Sequence, residues 1–377
     1  LQRGNLTANL QAMRIRVLHL ITDLEIGGAP LFVRNLVCGM DRSDFEVQVA
    51  CLGTKGPLVQ DLRDKLITTH ALGAKGPWDM RVMCRLARVI GDFRPHILHC
   101  TLVHANVAGR IVGNLCNVPH IVGTIQTAEQ GKKWHLTAEN FTCRWGDMTI
   151  CVSQSVYRHT RRLSHVPPSR LCVIPNAIDC DRFAQAKPVE SNESDILPGK
   201  TNIIFVGRLD PVKNIDILIR AIAPLTQSYE VQLLILGDGP EKGYLEKLTA
   251  DLNLANQVKF MGPRRDVERW LKSADIFVLP SKWEGLSIST LEAMAAGLPI
   301  IASRTTGLVD MIKDGKTGLL VGPGEVKDIT TSLEKYLLNP EYAAQLAKAA
   351  QIHVCRHYSL TAIVEAHERL YKEVMAV

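Results

Sequence analysis

The feature that most restricts the fold of this chain is that short, unbroken apolar runs alternate with helical stretches, twice over. Residues 15–22, 46–51, 66–72, 96–100, 120–125, 148–152 and 171–174 read as strands. Stretches such as 79–92 and 103–116 between them read as helices. A strand that is apolar along its whole length is buried on both faces, as in a parallel sheet covered by crossover helices. The series restarts with strands at 202–207, 231–236, 257–261, 276–279, 299–302 and 319–321, and helices at 214–225 and 241–251. Between the two series, residues 184–200 are polar and contain Pro188, Pro198 and Gly199, the composition of a linker. The expectation is an α/β chain of two Rossmann-like doubly wound domains. The first spans 1–186, a linker 187–200, and the second 201–358. Helices near 326–338, 340–357 and 359–377 close the chain. With 377 residues, 46% of them hydrophobic, there is material for two cores.

Residues 276–303 hold the most specific pattern. An apolar run ends at Pro280, a turn carries Glu284 and Gly285, and a helix of small and apolar residues over 287–296 stops at Gly297 and Pro299. The N–H groups of Gly285, Leu286 and Ser287 then fall at a helix N-terminus, a favourable seat for phosphate. Glu292 lies near the start of that helix. Ser289 and Glu292 also have the spacing of a capping box, in which Glu292 serves only its own helix. The second pattern is FVGRLDPVKN over 205–214. A strand ends at Gly207, Arg208 follows at once, and Lys213 stands at the start of a helix. Arg208 offers a planar fork of donors and Lys213 a mobile point charge. Both lie at the carboxyl edge of a parallel strand, where such sheets bind ligands. The alternative is two surface cations. Gly237 and Arg264 also follow strands, and a turn alone explains a single Gly-x-Gly.

Glu284 and Glu292 at Glu-x7-Glu spacing, followed by EAMAAGLPIIAS, resemble the donor-site signature of the family 4 retaining glycosyltransferases with the GT-B fold. The resemblance runs from about residue 14 to the end and is strongest over 202–322. It implies two domains facing across a cleft: an acceptor-binding first domain, a nucleotide-sugar-binding second domain, and a last helix, 359–377, packed back on the first. It implies retaining transfer of a sugar from a nucleotide diphosphate sugar to an acceptor hydroxyl, in the synthesis of cell-surface polysaccharide, lipid-linked glycan or glycolipid. By the same resemblance Arg208 and Lys213 hold the diphosphate, Glu284 the sugar hydroxyls and Glu292 the ribose. Gly207, Gly237, Arg264, Gly285, Leu286 and Ser287 complete the donor site. Neither a metal nor a cofactor is implied beyond the nucleotide sugar. Two rivals share the fold: a sugar-nucleotide epimerase, and a non-catalytic nucleotide-sugar-binding protein.

In the first domain the resemblance places Gly27 and Gly28 in a glycine-rich turn near donor phosphate and acceptor. Here Ala29-Pro30 follows where Ala-Glu is usual, and a plain strand–helix turn is the alternative. His104 and Asn106 are expected to face the cleft as acceptor contacts. Where many members place a histidine against the donor sugar, this chain has Gln126, which hydrogen-bonds but does not titrate. Glu129 lies close enough in sequence to assist it. The run Lys132-Lys133-Trp134-His135 suits an anionic acceptor or an ordinary solvated loop. Pro175-Asn176-Ala177-Ile178-Asp179 resembles the segment that closes the first domain in this family, with Ala177 replacing a glycine.

Charge is uneven. Before position 187 there are 22 basic and 14 acidic residues, an excess of eight; the remainder has 22 and 24, and the net is +6. A basic first half fits a lipid-linked acceptor carrying phosphate, an acidic membrane surface, or ordinary surface charge. No nucleic-acid-binding motif is present. No apolar run reaches the ~18–20 residues of a membrane span, and residues 1–16 have no apolar segment of signal-peptide type. The ten cysteines show no C-x-x-C pair, as expected of reduced thiols in a cytoplasmic protein. Peripheral attachment to the inner face of a membrane remains open.

Overall fold

The computed structural model describes residues 14–54, 56–76, 79–127, 133–189, 196–197 and 199–376. The chain divides into two units. The first comprises the residues up to Val152, Val156–Ile174 and Thr361 onward; the second comprises Ser153–Ser155 and Pro175–Leu360.

In the first unit the strands are β1 (Ile15–Ile21), β2 (Phe45–Cys51), β3 (Thr68–Ala71), β4 (Ile97–Thr101), β5 (His120–Ile125), β6 (Met148–Cys151) and β7 (Leu171–Val173). They form one sheet in the order β3-β2-β1-β4-β5-β6-β7, every pair parallel. The order reverses between β1 and β4, which creates a crevice at their carboxyl ends. All of β4 is buried, and Leu18, Leu20, Leu98 and Cys100 share a core with Leu86 and Ile90 of the helix Arg81–Phe93. β3 begins two residues later than its apolar run implies. Leu66 is 82% exposed and adopts a left-handed φ of 60°, and Ile67 N–H closes the helix Pro57–Asp64 by donating to Leu62 O. A residue in that conformation ends a helix and cannot extend a strand.

The second unit repeats the plan with β8 (Thr201–Val206), β9 (Val231–Leu236), β10 (Val258–Gly262), β11 (Ile276–Leu279), β12 (Ile300–Ser303) and β13 (Leu319–Val321). The order is β10-β9-β8-β11-β12-β13, again all parallel. Here the reversal falls between β8 and β11.

The contact-defined units divide the chain at other places than the sequence reading does. The first domain was expected to reach residue 186, but Pro175 onward belongs to the second unit. The Asp179 side chain caps the helix Cys180–Ala184 by accepting from Arg182 N–H, and Phe183 is buried. Arg182 then pairs with Glu268 on the helix Val267–Lys272 at 2.8 Å. The expected linker is not wholly free either. Val189 N–H donates to Ser273 Oγ at 2.7 Å and Leu197 N–H to the Gln232 side chain at 3.0 Å.

The last helix, Leu360–Met375, belongs to the first unit, so the chain does return to where it began. It is fastened by a buried polar knot. His19 on β1 and His99 on β4 are register partners, and both rings meet Tyr371 of the helix. The Tyr371 hydroxyl lies 2.6 Å from His99 Nδ1 and 3.2 Å from His19 Nε2. With one proton to give, it donates to one ring and accepts from the other. Thr124 Oγ1 takes the far side of His99 at 2.7 Å, and the His367 ring lies 5.9 Å from that of His99. Burial pushes His19 down to about 3 and His367 to about 4, and holds His99 well below its ordinary value.

Candidate functional site

The site in the second unit is assembled by the loops after β8, β9, β11 and β12, at the sheet's switch point. Gly207 follows β8 and packs backbone to backbone against Gly237 after β9. A Cβ on Gly237 would lie 1.9 Å from Gly207 O, and its φ of 137° suits only glycine. Beyond Gly207, Arg208 is 70% exposed on its side chain and forms an ion pair with Asp210, 3.1 Å from its Nε. Asp210 opens a short 3-10 turn, Pro211–Lys213. Asn214, in a left-handed conformation, turns the chain into the helix Ile215–Ile222.

That turn is tied to the loop after β11. Lys282 N–H donates to Val212 O at 2.8 Å. The Lys213 ammonium donates to Glu284 Oε1 at 2.6 Å, and the buried Ser281 hydroxyl donates to the same oxygen at 2.7 Å. Among the described residues Glu284 Oε2 accepts nothing from the protein. The loop after β12 braces the arrangement from behind: a Cβ on Gly307, whose φ is 84°, would lie 2.1 Å from Gly285 O. Neither Ser281 nor Gly307 stands out in the sequence. A glycine closely following a strand, in Thr305-Thr306-Gly307, was the available signal for the second.

Ser287 caps the helix Ile288–Ala296; its Oγ accepts from Thr290 N–H at 3.3 Å. Among the described residues the N–H groups of Gly285, Leu286 and Ser287 donate to no protein acceptor. They stand at the positive end of the helix, free for an anion. The cap also removes the capping-box reading of Glu292. That box needs the acid three residues after the cap, where Thr290 stands, whereas Glu292 is five beyond. Glu292 instead lies within electrostatic reach of Arg182 and Glu268. Burial pushes its carboxyl up to about 8; Arg182 opposes the shift and Glu268 adds to it. Arg182 and Glu268 line an open surface pocket together with Asp179, Asp181, Gln185 and Lys187. Asp179 and Asp181 stand at Asp-x-Asp spacing, but Asp179 is spent on its helix cap. Among the described residues no three acidic, His or Cys groups come together in a way that could hold a metal. After β10, Arg264 lies over the Trp270 ring, 4.7 Å from its centroid, and pairs with Asp266 at 3.3 Å.

In the first unit the candidates divide. Gly27 is extended, and a Cβ there would meet only Pro30 at 3.7 Å, so the backbone does not demand glycine. Gly28 begins the helix Gly28–Gly39. His104 is half-buried, with its ring against Trp134 and His135. Asn106 does not face outward as expected. It is 1% exposed and donates to Thr124 O at 3.1 Å and to the Glu139 carboxylate at 3.0 Å. Glu139 also pairs with the buried Arg110, so Asn106 helps to satisfy an interior ion pair. Gln126 is buried. Glu129 and Lys132 lie outside the described residues. Between β4 and the helix Val103–Leu115, Leu102 has φ 78° and ψ 153°, a region nearly reserved for glycine.

All ten cysteines are free. Burial raises Cys51 and Cys151 to about 11 and Cys100 and Cys172 to about 12, so these thiols stay protonated. No helix among the described residues is long and apolar enough to cross a membrane.

Known proteins share both the sequence pattern and the architecture. The family model described as Glycosyltransferase Family 4 matches residues 26–182, and that of Glycosyl transferases group 1 matches 187–353. The GDP-mannose-dependent alpha-(1-6)-phosphatidylinositol monomannoside mannosyltransferase of Mycolicibacterium smegmatis is 30% identical over 296 residues, covering 74% of this chain and 75% of its own. The UDP-Gal:alpha-D-GlcNAc-diphosphoundecaprenol alpha-1,3-galactosyltransferase of Escherichia coli is 27% identical over 315 residues, covering 78% and 80%. Among solved structures, Anabaena Alr3699/HepE in complex with UDP-glucose superposes with a TM-score of 0.84 at 19% identity, over 96% of this chain and all of that one. Sucrose-phosphate synthase from Thermosynechococcus elongatus gives 0.83 at 21% identity, over 96% and 99%. At those identities the two structures speak for the fold.

Proposed function

The chain belongs to the glycosyltransferases of group 1 and family 4, and on that premise we propose that it is a retaining, metal-independent transferase. It moves a hexose from a nucleotide diphosphate sugar to an acceptor hydroxyl. The observation that carries the reading is the Lys213–Glu284 pair at the switch point of the second sheet, beside the free amides of residues 285–287. An arriving diphosphate competes with Glu284 for the Lys213 ammonium. As Lys213 turns to phosphate, Glu284 Oε1 is released to join Oε2 in accepting from sugar hydroxyls. Donor binding thus exchanges one ion pair for two productive contacts.

In the chemical step the bond between the anomeric carbon and the phosphate oxygen breaks, and the acceptor oxygen bonds to that carbon on the same face. The leaving phosphate oxygen takes the acceptor proton. Charge developing on the diphosphate is met by Lys213, Arg208 and the helix amides, which are fixed before the reaction begins. Glu292 holds the ribose and Arg264 lies towards the base, while Gly27, Gly28, His104 and Gln126 belong to the acceptor side. The acceptor is a carbohydrate or a lipid-linked carbohydrate. The mycobacterial and Escherichia coli relatives, whose names specify lipid acceptors, support that class, as does the basic balance before residue 187. We therefore place the protein in surface-polysaccharide, lipid-linked glycan or glycolipid synthesis, on the cytoplasmic face of a membrane.

The test is incubation with a panel of UDP-, GDP- and ADP-sugars in the presence of chelator, with and without lipid-linked acceptors. Expected are release of nucleoside diphosphate and a product whose anomeric configuration, read by NMR, matches the donor. An epimerised donor, or binding with no release under any condition, would overturn the assignment.

A further inference from the structure

Residues 133–152 and 156–170 of the first unit carry both exposed apolar and exposed cationic side chains. Two helices, Lys133–Thr142 and Gln154–Leu163, are joined at their carboxyl ends through one side chain: Asn140 Nδ2 donates to Leu163 O at 3.3 Å, and Asn140 Oδ1 accepts from His165 N–H at 3.0 Å. Arg170 closes the same face by donating to Gly146 O at 3.1 Å. Large apolar side chains are left in solvent there. Phe141 is 61% exposed, Trp134 52%, and Leu136 and Leu163 are also exposed. The Phe141 and Trp145 rings lie 5.9 Å apart, edge to face. The Arg144 guanidinium lies over both, 4.5 and 4.7 Å from their centroids.

Exposed cations accompany these rings along the same stretch of chain. Arg144, Arg158, Arg161, Arg162 and Arg170 are all exposed. The two acids of the stretch are engaged elsewhere: Glu139 pairs with buried Arg110, and Asp147 accepts from Ile121 N–H. Among the described residues no acidic group pairs with Arg144, Arg161 or Arg162. The exposed Phe141 ring and the half-buried Trp145 ring beneath Arg144, with Arg161 and Arg162 exposed on the adjoining helix, match the layered chemistry of an anionic lipid surface. There rings settle at the headgroup level and cations meet phosphate.

We propose that this face is a docking surface for an anionic lipid bilayer. Phe141 and Trp145 enter the interface, and Arg144, Arg161 and Arg162 bind the headgroups. The partner rests on the proposed use of a lipid-linked acceptor; the surface itself involves no residue of the donor site, so the two are tested apart. The full chain, without sugar nucleotide, is mixed with phosphatidylcholine vesicles containing increasing phosphatidylglycerol, some carrying brominated acyl chains. Expected are binding that rises with the phosphatidylglycerol fraction, quenching of tryptophan emission by the brominated chains, and loss of binding between about 0.1 M and 1 M salt, as screening shortens from roughly 10 Å to 3 Å.

The paired change Arg161→Glu and Arg162→Glu lowers vesicle affinity by about tenfold or more. Trp145→Phe removes a large part of the quenching, and Phe141→Ser weakens binding at fixed anionic content. Melting temperature and calorimetric affinity for a nucleoside diphosphate, read on the same samples, stay unchanged, which separates a lost surface from a lost fold. Equal binding to neutral vesicles overturns the proposal, as do binding unmoved by the arginine changes, an absence of quenching, and preferential capture of RNA that displaces the vesicles. Loss of nucleotide binding in the parent chain overturns the donor-site reading and leaves the vesicle result standing.

Discussion

Arg208 and Lys213 are both assigned to the diphosphate, yet the structure holds them differently, and that difference is measurable. Arg208 is exposed and its pair with Asp210 is a surface contact, worth about 0–1 kcal/mol. Arg208→Ala is expected to leave the melting temperature nearly unchanged. Lys213 is mostly covered, and Lys213→Ala leaves the Glu284 carboxylate with one hydroxyl, at a cost of about 1–3 kcal/mol. Both changes are expected to slow nucleoside diphosphate release by about a hundredfold, roughly 3 kcal/mol of lost charge stabilisation each. Near-normal turnover in both variants would return them to surface cations. Glu292 gives a second separation. Its carboxyl is raised from 4.5 to about 8, so the folded chain binds a proton there that the unfolded chain releases. Its contribution is intact below pH ~4.5 and is lost as pH rises towards 8, at no more than about 1.4 kcal/mol per unit. Glutamine resembles the neutral acid, so Glu292→Gln should melt like the parent at pH 4 and above it at pH 8. If Glu292 also holds the ribose, calorimetric affinity for the nucleoside diphosphate falls in the same variant.

At the scale of elements, the closing helix Leu360–Met375 is clamped by a hydroxyl shared between two histidines. Tyr371→Phe removes that hydroxyl and leaves buried ring nitrogens unpartnered, an expected loss of about 1–3 kcal/mol in chemical denaturation. An unchanged midpoint would mean that packing alone holds the helix. The strands were legible because each is a run of apolar residues, and the two cations and Glu284 because they stand in the loops that follow such runs. The knot was not legible, because His19, His99 and Tyr371 look like isolated polar residues until the sheet register and the returning helix bring them together across 352 positions. Asn106 was misread for the same reason: its partner Glu139 is 33 residues away, and a polar residue after a strand reads as exposed until that partner is known. The cap at Ser287 was obscured by three candidate hydroxyls within four residues, Ser287, Ser289 and Thr290, of which Ser289 has the spacing to Glu292 of a box that the backbone does not form.

For the whole molecule, the two units respond to acid in opposite senses. His19, His99 and His367 are depressed below 6.5 in the folded first unit, so that unit is fully stabilised above pH ~6.5 and weakens as pH falls towards 3. Each neutral ring costs about 1.4 kcal/mol per pH unit in that window. Glu292 weakens the second unit as pH rises. Scanning calorimetry of the apo chain between pH 4 and 8 is expected to show two transitions that move apart or cross; a single transition keeping one shape throughout would exclude independent melting. Chain continuity imposes a different constraint. The first unit is interrupted at Ile174 and resumes only at Thr361, so a growing chain must emit Pro175–Leu360 before the helix that covers His19 and His99 exists. At typical synthesis rates that interval lasts roughly 10–40 s. Throughout it a nearly complete sheet waits with two buried-type histidines open to water, while the second unit has all its strands and can fold. In this molecule the order of manufacture is the reverse of the order of the domains, and the half that begins the chain is the last to be finished.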